Sequence, residues 1–185
     1  MIKKRVAIVV LNWNCADDSI KCMESLIAQT HKTDIILVDN ASSDNSINIF
    51  KKYISDKKNI NLIKNTVNSG YTGGNNVGFK YALKNGYDFI GTLNPDAVAD
   101  KDWVKNLVSI IESDKSVGIA TGILARSDKK TLDSTGDFYT TWGIPSPRGR
   151  NQQLSSAPKL PEYVFGSTGG GFIARASLFR IVGLF

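Results

Sequence analysis

Three short polar clusters each follow an apolar run in this chain: Asn12-Trp13-Asn14 after Val6 to Leu11, Asp39-Asn40 after Ile35 to Val38, and Asn94-Pro95-Asp96 after Phe89 to Leu93. Their side chains suit phosphorylated or hydroxylated ligands. A carboxylate accepts from ring N–H and hydroxyl groups, an amide donates and accepts, and an acid on a tight turn can hold a divalent cation against a phosphate. Pro95 cannot donate to a sheet ladder, so the Phe89 strand stops near Asn94 and leaves Asp96 just past its carboxyl end. Alone, the Asp96 stretch reads first as a turn that caps the next helix, and it gains weight only beside the other two clusters.

The elements that must position these clusters alternate. Val6 to Leu11 and Ile35 to Val38 are β-branched, continuously apolar runs, the pattern of strands covered on both faces. Ile60 to Ile63 predicts a third strand and Phe89 to Leu93 a fourth; Val117 to Leu124 is a fifth apolar segment interrupted by Gly118 and Gly122. Between them, helical spacing places Ile20, Met23, Leu26 and Ile27 on one stripe, then Ile47, Phe50 and Ile54 after the capping oxygens of Ser42, Ser43 and Asp44. Asn68 to Asn76 reads as a glycine- and asparagine-rich loop opening a helix that ends at Asn85-Gly86, followed later by a helix with Trp103, Leu107, Ile110 and Ile111. Strand and helix in alternation predict an α/β, doubly wound, mostly parallel sheet flanked by helices. In such a sheet the carboxyl ends share one edge, so the three clusters converge on a crevice. From Ser127 to Glu162 the texture changes: four of the five prolines lie there, with little periodicity. Order returns at Tyr163-Val164-Phe165, ahead of Gly166 to Gly171, Phe172-Ile173 and a last helix from Ala176 to Val182.

Composition narrows the field. A chain of 185 residues fits one domain or one domain and part of a second. No apolar run approaches the roughly 20 residues of a membrane span. Met1-Ile2-Lys3-Lys4-Arg5 resembles the start of a signal peptide, but the apolar run after it is too short and reads as the first strand. Cys15 and Cys22 fit neither a disulfide framework nor a zinc site, in keeping with a reducing cytoplasm. The formal charge of +6 allows anionic partners, although Lys51, Lys52, Lys57 and Lys58 read as a solvated helix end. The first strand is followed by no glycine, against a dinucleotide fingerprint, and no Walker A loop is present. His31, the single histidine, lies in a loop without a nucleophile to serve.

Five segments in order, Val9-Val10-Leu11-Asn12-Trp13-Asn14, Cys22-Met23-Glu24-Ser25-Leu26, Val38-Asp39-Asn40-Ala41-Ser42-Ser43-Asp44, Asn68-Ser69-Gly70-Tyr71-Thr72-Gly73-Gly74-Asn75-Asn76 and Leu93-Asn94-Pro95-Asp96-Ala97, resemble glycosyltransferase family 2, and most of all its rhamnosyltransferase-like members. The likeness covers about residues 5 to 125 and, more loosely, Phe165 to Phe185. It implies a GT-A (Rossmann-like) fold and the inverting transfer of a sugar from a nucleoside-diphosphate donor, dTDP- or UDP-linked, to a glycan or lipid-linked acceptor in cell-surface polysaccharide synthesis. By that likeness Leu11 to Asn14 (Leu11, Asn12, Trp13 and Asn14) and Asp39 border the nucleobase and ribose, while Asn68, Gly70, Gly74 and Asn75 lie near the diphosphate or the sugar. Asp96 is the implied ligand of Mg²⁺ or Mn²⁺. Asn94, standing where the family often has an acid, is implied as a donor-sugar contact or a support for the metal ligand. Residues 1–125 would form the nucleotide-sugar-binding half, and residues 126–185 an acceptor-side loop, glycine-rich strand and helix of the same domain.

Inversion in one displacement needs a general base on the face opposite the leaving group. In the family that acid lies in a Glu-Asp pair after the glycine-rich strand, and the match here stops at Gly183-Leu184-Phe185, before any such pair. Asp133, Asp137 and Glu162 stand in no equivalent context, so the base is unassigned. The expectation is the N-terminal part of a longer enzyme, because Ile181 to Phe185 carries apolar residues that normally pack. Alternatives remain open: a nucleotide-sugar-binding module without catalysis, or a nucleotidyltransferase, against which the absence of a glycine-rich basic loop counts. Nucleic-acid binding ranks last, since the basic residues are scattered. A basic transferase working on lipid-linked acceptors would be cytoplasmic, with peripheral contact at the inner face of the membrane as a further expectation.

Overall fold

Runs such as Val6 to Val10 have no polar face to offer water, so the chain has to cover them from both sides. The computed structural model, which describes residues 4–185 and leaves Met1, Ile2 and Lys3 of the basic start outside it, shows how this is done. Val6–Asn12 (β1), Asp34–Asp39 (β2), Ile60–Lys64 (β3) and Phe89–Leu93 (β4) are parallel, separated by Ala16–Ile27 (α1), Ser46–Tyr53 (α2) and Gly70–Lys84 (α3). Trp103–Ser113 (α4) and Ile119–Thr121 (β5) follow. Two short hairpins come next, Leu124–Ala125 (β6) with Leu132–Ser134 (β7) and Asp137–Tyr139 (β8) with Pro145–Pro147 (β9). Gly171–Arg175 (β10) and Ala176–Val182 (α5) complete the order. The main sheet runs β3-β2-β1-β4-β10-β5, with β10 antiparallel to both its neighbours.

Alternate residues of β1 enter opposite cores. Ile8 and Val10 join Met23, Leu26, Phe50 and Val108 on one side, while Ala7 and Val9 join Phe79, Ala82, Phe172 and Phe179 on the other. Chain order reverses between β1 and β4, since β2 and β3 extend the sheet one way and β4 returns to the far side of β1. That reversal opens a crevice at the carboxyl ends of the strands.

Several boundaries differ from the sequence reading. The stretch read as a loop from Asn68 to Asn76 is mostly helix: α3 begins at Gly70, whose φ of +69° favours glycine. A Cβ on Gly74 would lie 2.5 Å from Leu11 Cδ1, and one on Gly78 would lie 2.6 Å from Val9 Cγ1. These glycines bring α3 tightly onto β1. The α2 cap is also different. Ser42 and Ser43 bond to other strand-end residues, and only Asp44 serves the helix start, accepting from Ser46 N–H at 2.9 Å. Val117 to Leu124 splits at Gly122 into β5 and β6, because Gly122 packs on the Trp103 indole. Tyr163 to Phe165 is not a strand; ordered pairing resumes at a single bridge from Gly166 to Asp137 and then at β10. Among the described residues no helix is long and apolar enough to cross a membrane.

Candidate active site

β1 and β2 pair in register with Asn12 opposite Asp39, and their side chains bond directly. Asn12 Nδ2 donates to Asp39 Oδ1 at 2.8 Å and to Ser42 Oγ at 3.0 Å, and its Oδ1 accepts from Ser19 Oγ at 2.9 Å. Asp39 accepts from the Ser42 hydroxyl at 2.6 Å through Oδ1 and from Ser42 N–H through Oδ2. Asn12 is fully buried and Asp39 is 2% exposed. Asn14 Oδ1 accepts from the backbone N–H groups of Ser43 and Asp44, so it stitches the turn after β1 to the turn after β2. Asn14 and Ala41 both hold positive φ, at 56° and 61°, which this bonding keeps in place.

Asn40 fastens the third turn. Its Nδ2 donates to Asn68 Oδ1 at 2.8 Å and to Gly70 O, while its Oδ1 accepts from Asn65 Nδ2 and Ser69 N–H. Deeper in, Asn75 Nδ2 donates to Tyr71 O and its Oδ1 accepts from the Thr92 hydroxyl at 2.9 Å, tying α3 to β4. Asn75 is fully buried.

Above this scaffold lies a cleft of ≈ 560 Å³, lined by Leu11, Trp13 and Cys15, by Asn40, Asn68, Gly70 and Tyr71, and by Thr92 to Asp96. That size suits a small-molecule ligand. Pro95 presets the turn in which Ala97 N–H donates to Asn94 O, and Asn94 N–H donates to Gly170 O of the glycine loop before β10. Tyr71 donates its hydroxyl to Gly169 O, closing the rim between α3 and that loop. Burial pushes the Tyr71 phenol above its ordinary value.

Asp96 is exposed, and among the described residues no protein donor bonds its carboxylate. Its charge reaches Cys22, whose thiol is pushed to about 12, first by burial and then by Asp96. A divalent cation fits here on chemical grounds. Asp96 offers a hard oxygen uncommitted to the protein, and the Asn94 amide beside it has no protein partner among the described residues either. Among those residues no three His, Cys, Asp or Glu side chains cluster, so a cation held here would take its remaining ligands from phosphate and water, as Mg²⁺ commonly does.

The residues named from sequence thus divide. Leu11, Asn68, Gly70, Asn94 and Asp96 line the cleft. Asn12, Asn14, Asp39, Gly74 and Asn75 are not among its lining residues: the polar side chains are engaged in joining strand ends and helices, and at Gly74 the helix packs on Leu11. Trp13 and Asn40, members of the strand-end clusters expected at the crevice, also line the cleft, whereas Cys15, Tyr71 and Thr92 line it without having been singled out from the sequence. Trp13 carried a visible signal, a large aromatic between two strand-end amides, and it is 56% exposed. The role of Thr92, inside an apolar strand, had none.

The model of Glycosyl transferase family 2 matches residues 7–179. A low-salt glycan biosynthesis hexosyltransferase, Agl10 of Haloferax volcanii, is 30% identical over 154 residues, covering 80% of this chain and 48% of the relative. The Escherichia coli protein WfaP, a UDP-Glc:α-D-GlcNAc-diphosphoundecaprenol β-1,3-glucosyltransferase, is 32% identical over 111 residues, covering 60% of this chain and 42% of the relative. Among solved structures, the mannosyltransferase PcManGT from Pyrobaculum calidifontis, in complex with GDP-Man and Mn²⁺, superimposes with a TM-score of 0.70 at 15% identity, over 100% of this chain and 48% of its own. The chain spans about half the length of the relatives it matches. With the GT-A sheet, the strand-end cleft and a family match over most of its length, the chain belongs to glycosyltransferase family 2.

Proposed function

We propose that this chain is the donor-binding part of an inverting glycosyltransferase that moves a hexosyl or rhamnosyl group from a dTDP- or UDP-linked donor to a glycan or lipid-linked acceptor in cell-surface polysaccharide synthesis. The observation that carries the reading is the uncommitted carboxylate of Asp96, facing a cleft beside the strand-end turns that Asn12, Asp39 and Asn40 tie together. In this reading the exposed Trp13 indole and Leu11 flank the nucleobase, and Asn68 and Gly70 lie along the ribose and diphosphate. The amino end of α3 places its partial positive charge beside the diphosphate. Asp96 holds Mg²⁺ or Mn²⁺, and Asn94 orients the sugar. When bound, the cation supplies charge stabilisation for the departing diphosphate. Residues 126–185 border the acceptor side, and the base that takes the acceptor proton lies in the remainder of a longer protein. WfaP, by its name, acts on a diphospholipid-linked sugar. A similar acceptor here would bring peripheral contact with the inner membrane face.

Titrating UDP-, dTDP- and GDP-sugars against the chain, with and without Mg²⁺ or Mn²⁺, tests the reading through ligand-induced thermal stabilisation. The expected result is metal-dependent stabilisation by one donor class that is lost in Asp96→Ala. Equal stabilisation of both proteins, or none by any donor, rejects it. The missing base keeps a second reading open, a nucleotide-sugar-binding fragment without turnover; donor hydrolysis by this chain, compared with one extended past Phe185, separates the two.

A further inference from the structure

β7 is the middle of three strands of backbone outside the main sheet. β6 pairs with one edge, and the segment from Arg148 to Gln152 bonds the other, with Leu132 N–H donating to Gln152 O and Asn151 N–H to Leu132 O. Leu132 and Ser134 are buried, so Asp133 between them faces outward, as strand alternation requires. Two guanidinium groups reach it from opposite sides. Arg126 Nε lies 3.8 Å from Asp133 Oδ1, and Arg150 Nη2 lies 3.2 Å from the same oxygen. One carboxylate oxygen cannot satisfy two forks of five donors each, so most of their N–H groups stay open to a ligand.

Asp128, which lies close enough for the Arg126 charge to act on it, offsets only part of the surplus. Asp128 is committed to its own turn, accepting from Lys130 N–H, Thr131 N–H and the Thr131 hydroxyl, and these bonds hold its carboxyl below the usual range. Lys129 and Lys130 form no ion pair among the described residues, whereas Arg148 is already paired with Glu162. The cluster also lies close to the cleft. Gly170, whose carbonyl accepts from Asn94 N–H, packs on Leu124, and Arg126 follows Leu124 by two residues, about 7 Å along a strand.

We propose that Arg126 and Arg150, converging over Asp133, form a subsite for a phosphate ester of the acceptor. The planar forks match phosphate oxygens, and neither arginine lines the cleft that Asp96 faces, so the assignment is to the acceptor rather than the donor. The word acceptor rests on the transfer reading above; the anion site rests on the geometry alone. As surface ion pairs, the two contacts to Asp133 would be worth little to the fold.

The test is NMR titration of the chain with glycerol 3-phosphate in EDTA, which keeps the metal-dependent cleft out of play. Saturable shifts at Arg126 and Arg150 are expected, with affinity falling about tenfold in Arg126→Gln or Arg150→Gln, the size of one charge-assisted hydrogen bond. Asp133→Asn, which removes the competing carboxylate, should tighten binding. A structural ion-pair cluster predicts no tightening in that variant, and that result overturns the proposal, as do absent shifts or shifts unaltered by the arginine variants. A second arm sediments the protein with vesicles of phosphatidylglycerol and phosphatidylcholine. Retention that depends on both arginines assigns the phosphate to a lipid, and glycerol-phosphate binding without retention assigns it to a soluble or polymer-borne ester. A chain that binds metal and nucleotide sugar but ignores glycerol phosphate sinks this proposal alone; one that binds glycerol phosphate but no nucleotide sugar sinks the transfer reading and with it the acceptor assignment.

Discussion

Asp39 and Asp96 end the two strands that flank β1, yet their carboxylates do opposite work. Asp39 is enclosed by Asn12 and Ser42, which donate to it from three directions, and it holds the turn after β2 against the end of β1. Asp96 stands three residues beyond the end of β4 on a proline turn whose backbone is satisfied by Gly170 and by its own Ala97, so its carboxylate is left uncommitted by the chain. A strand-end acid is therefore informative only once its hydrogen bonds have been traced. A fully satisfied carboxylate stabilises the fold, and an unsatisfied one at the mouth of a cleft is available for chemistry.

The sharpest way to break this contrast is Asp96→Ala. Transfer by an enzyme carrying this chain is expected to fall by about two to three decades, the loss typical of one preorganised stabilising group. Urea unfolding should shift by no more than about 0.5 kcal/mol, as for an unbonded surface residue. Asp39→Ala should show the reverse pattern. It strands the buried Asn12 amide and frees the Ser42 turn, costing about 3 kcal/mol of stability in urea titration. A variant that loses donor binding without losing stability would show Asp39 to be a ligand contact after all. Gly74→Ala sharpens the boundary between scaffold and cleft. Its methyl group would drive Leu11 toward the ligand, so calorimetry should show weaker donor binding while stability changes by less than about 1 kcal/mol, because alanine also favours the helix.

The two thiols give the smallest and most local comparison. Cys15 lines the cleft and Cys22 is fully buried beneath it. At pH 8 a thiol reagent is expected to modify Cys15 alone, with protection by bound donor; modification of Cys22 at the same rate would show the cleft floor to be open. The folded chain keeps the Cys22 proton to about 12, above its ordinary 9.0, so it binds more protons than the unfolded chain between those values. That contribution to stability is fully present below about 9 and is lost as pH rises toward about 12. A Cys22→Ala variant should flatten the alkaline limb of the stability curve.

Much of this was legible in the residues. The apolar runs announced β1, β2 and β4, and helical spacing announced the helices between them, because burial on both faces and amphipathic spacing are written locally. The Asn68 to Asn76 stretch misled, since its glycines read as a loop, whereas Gly74 within it and Gly78 just past it serve a close helix–sheet crossing that only the partner strand reveals. Val117 to Leu124 read as one apolar segment interrupted by glycines, because the Trp103 indole that occupies the space beside Gly122 comes from the start of the preceding helix rather than from the segment itself.

By itself the sequence determined the alternating α/β order, the single edge on which the polar turns meet, and Asp96 as the acid to examine, since these follow from local pattern and chain direction. Only the tertiary structure decided which of those polar groups line the cleft. Asn12, Asp39 and Asn75 carry the same chemistry as Asn94 and Asp96 and differ only in having found partners from other strands and helices, and hydrogen-bond satisfaction between distant segments is a property no single stretch of sequence contains.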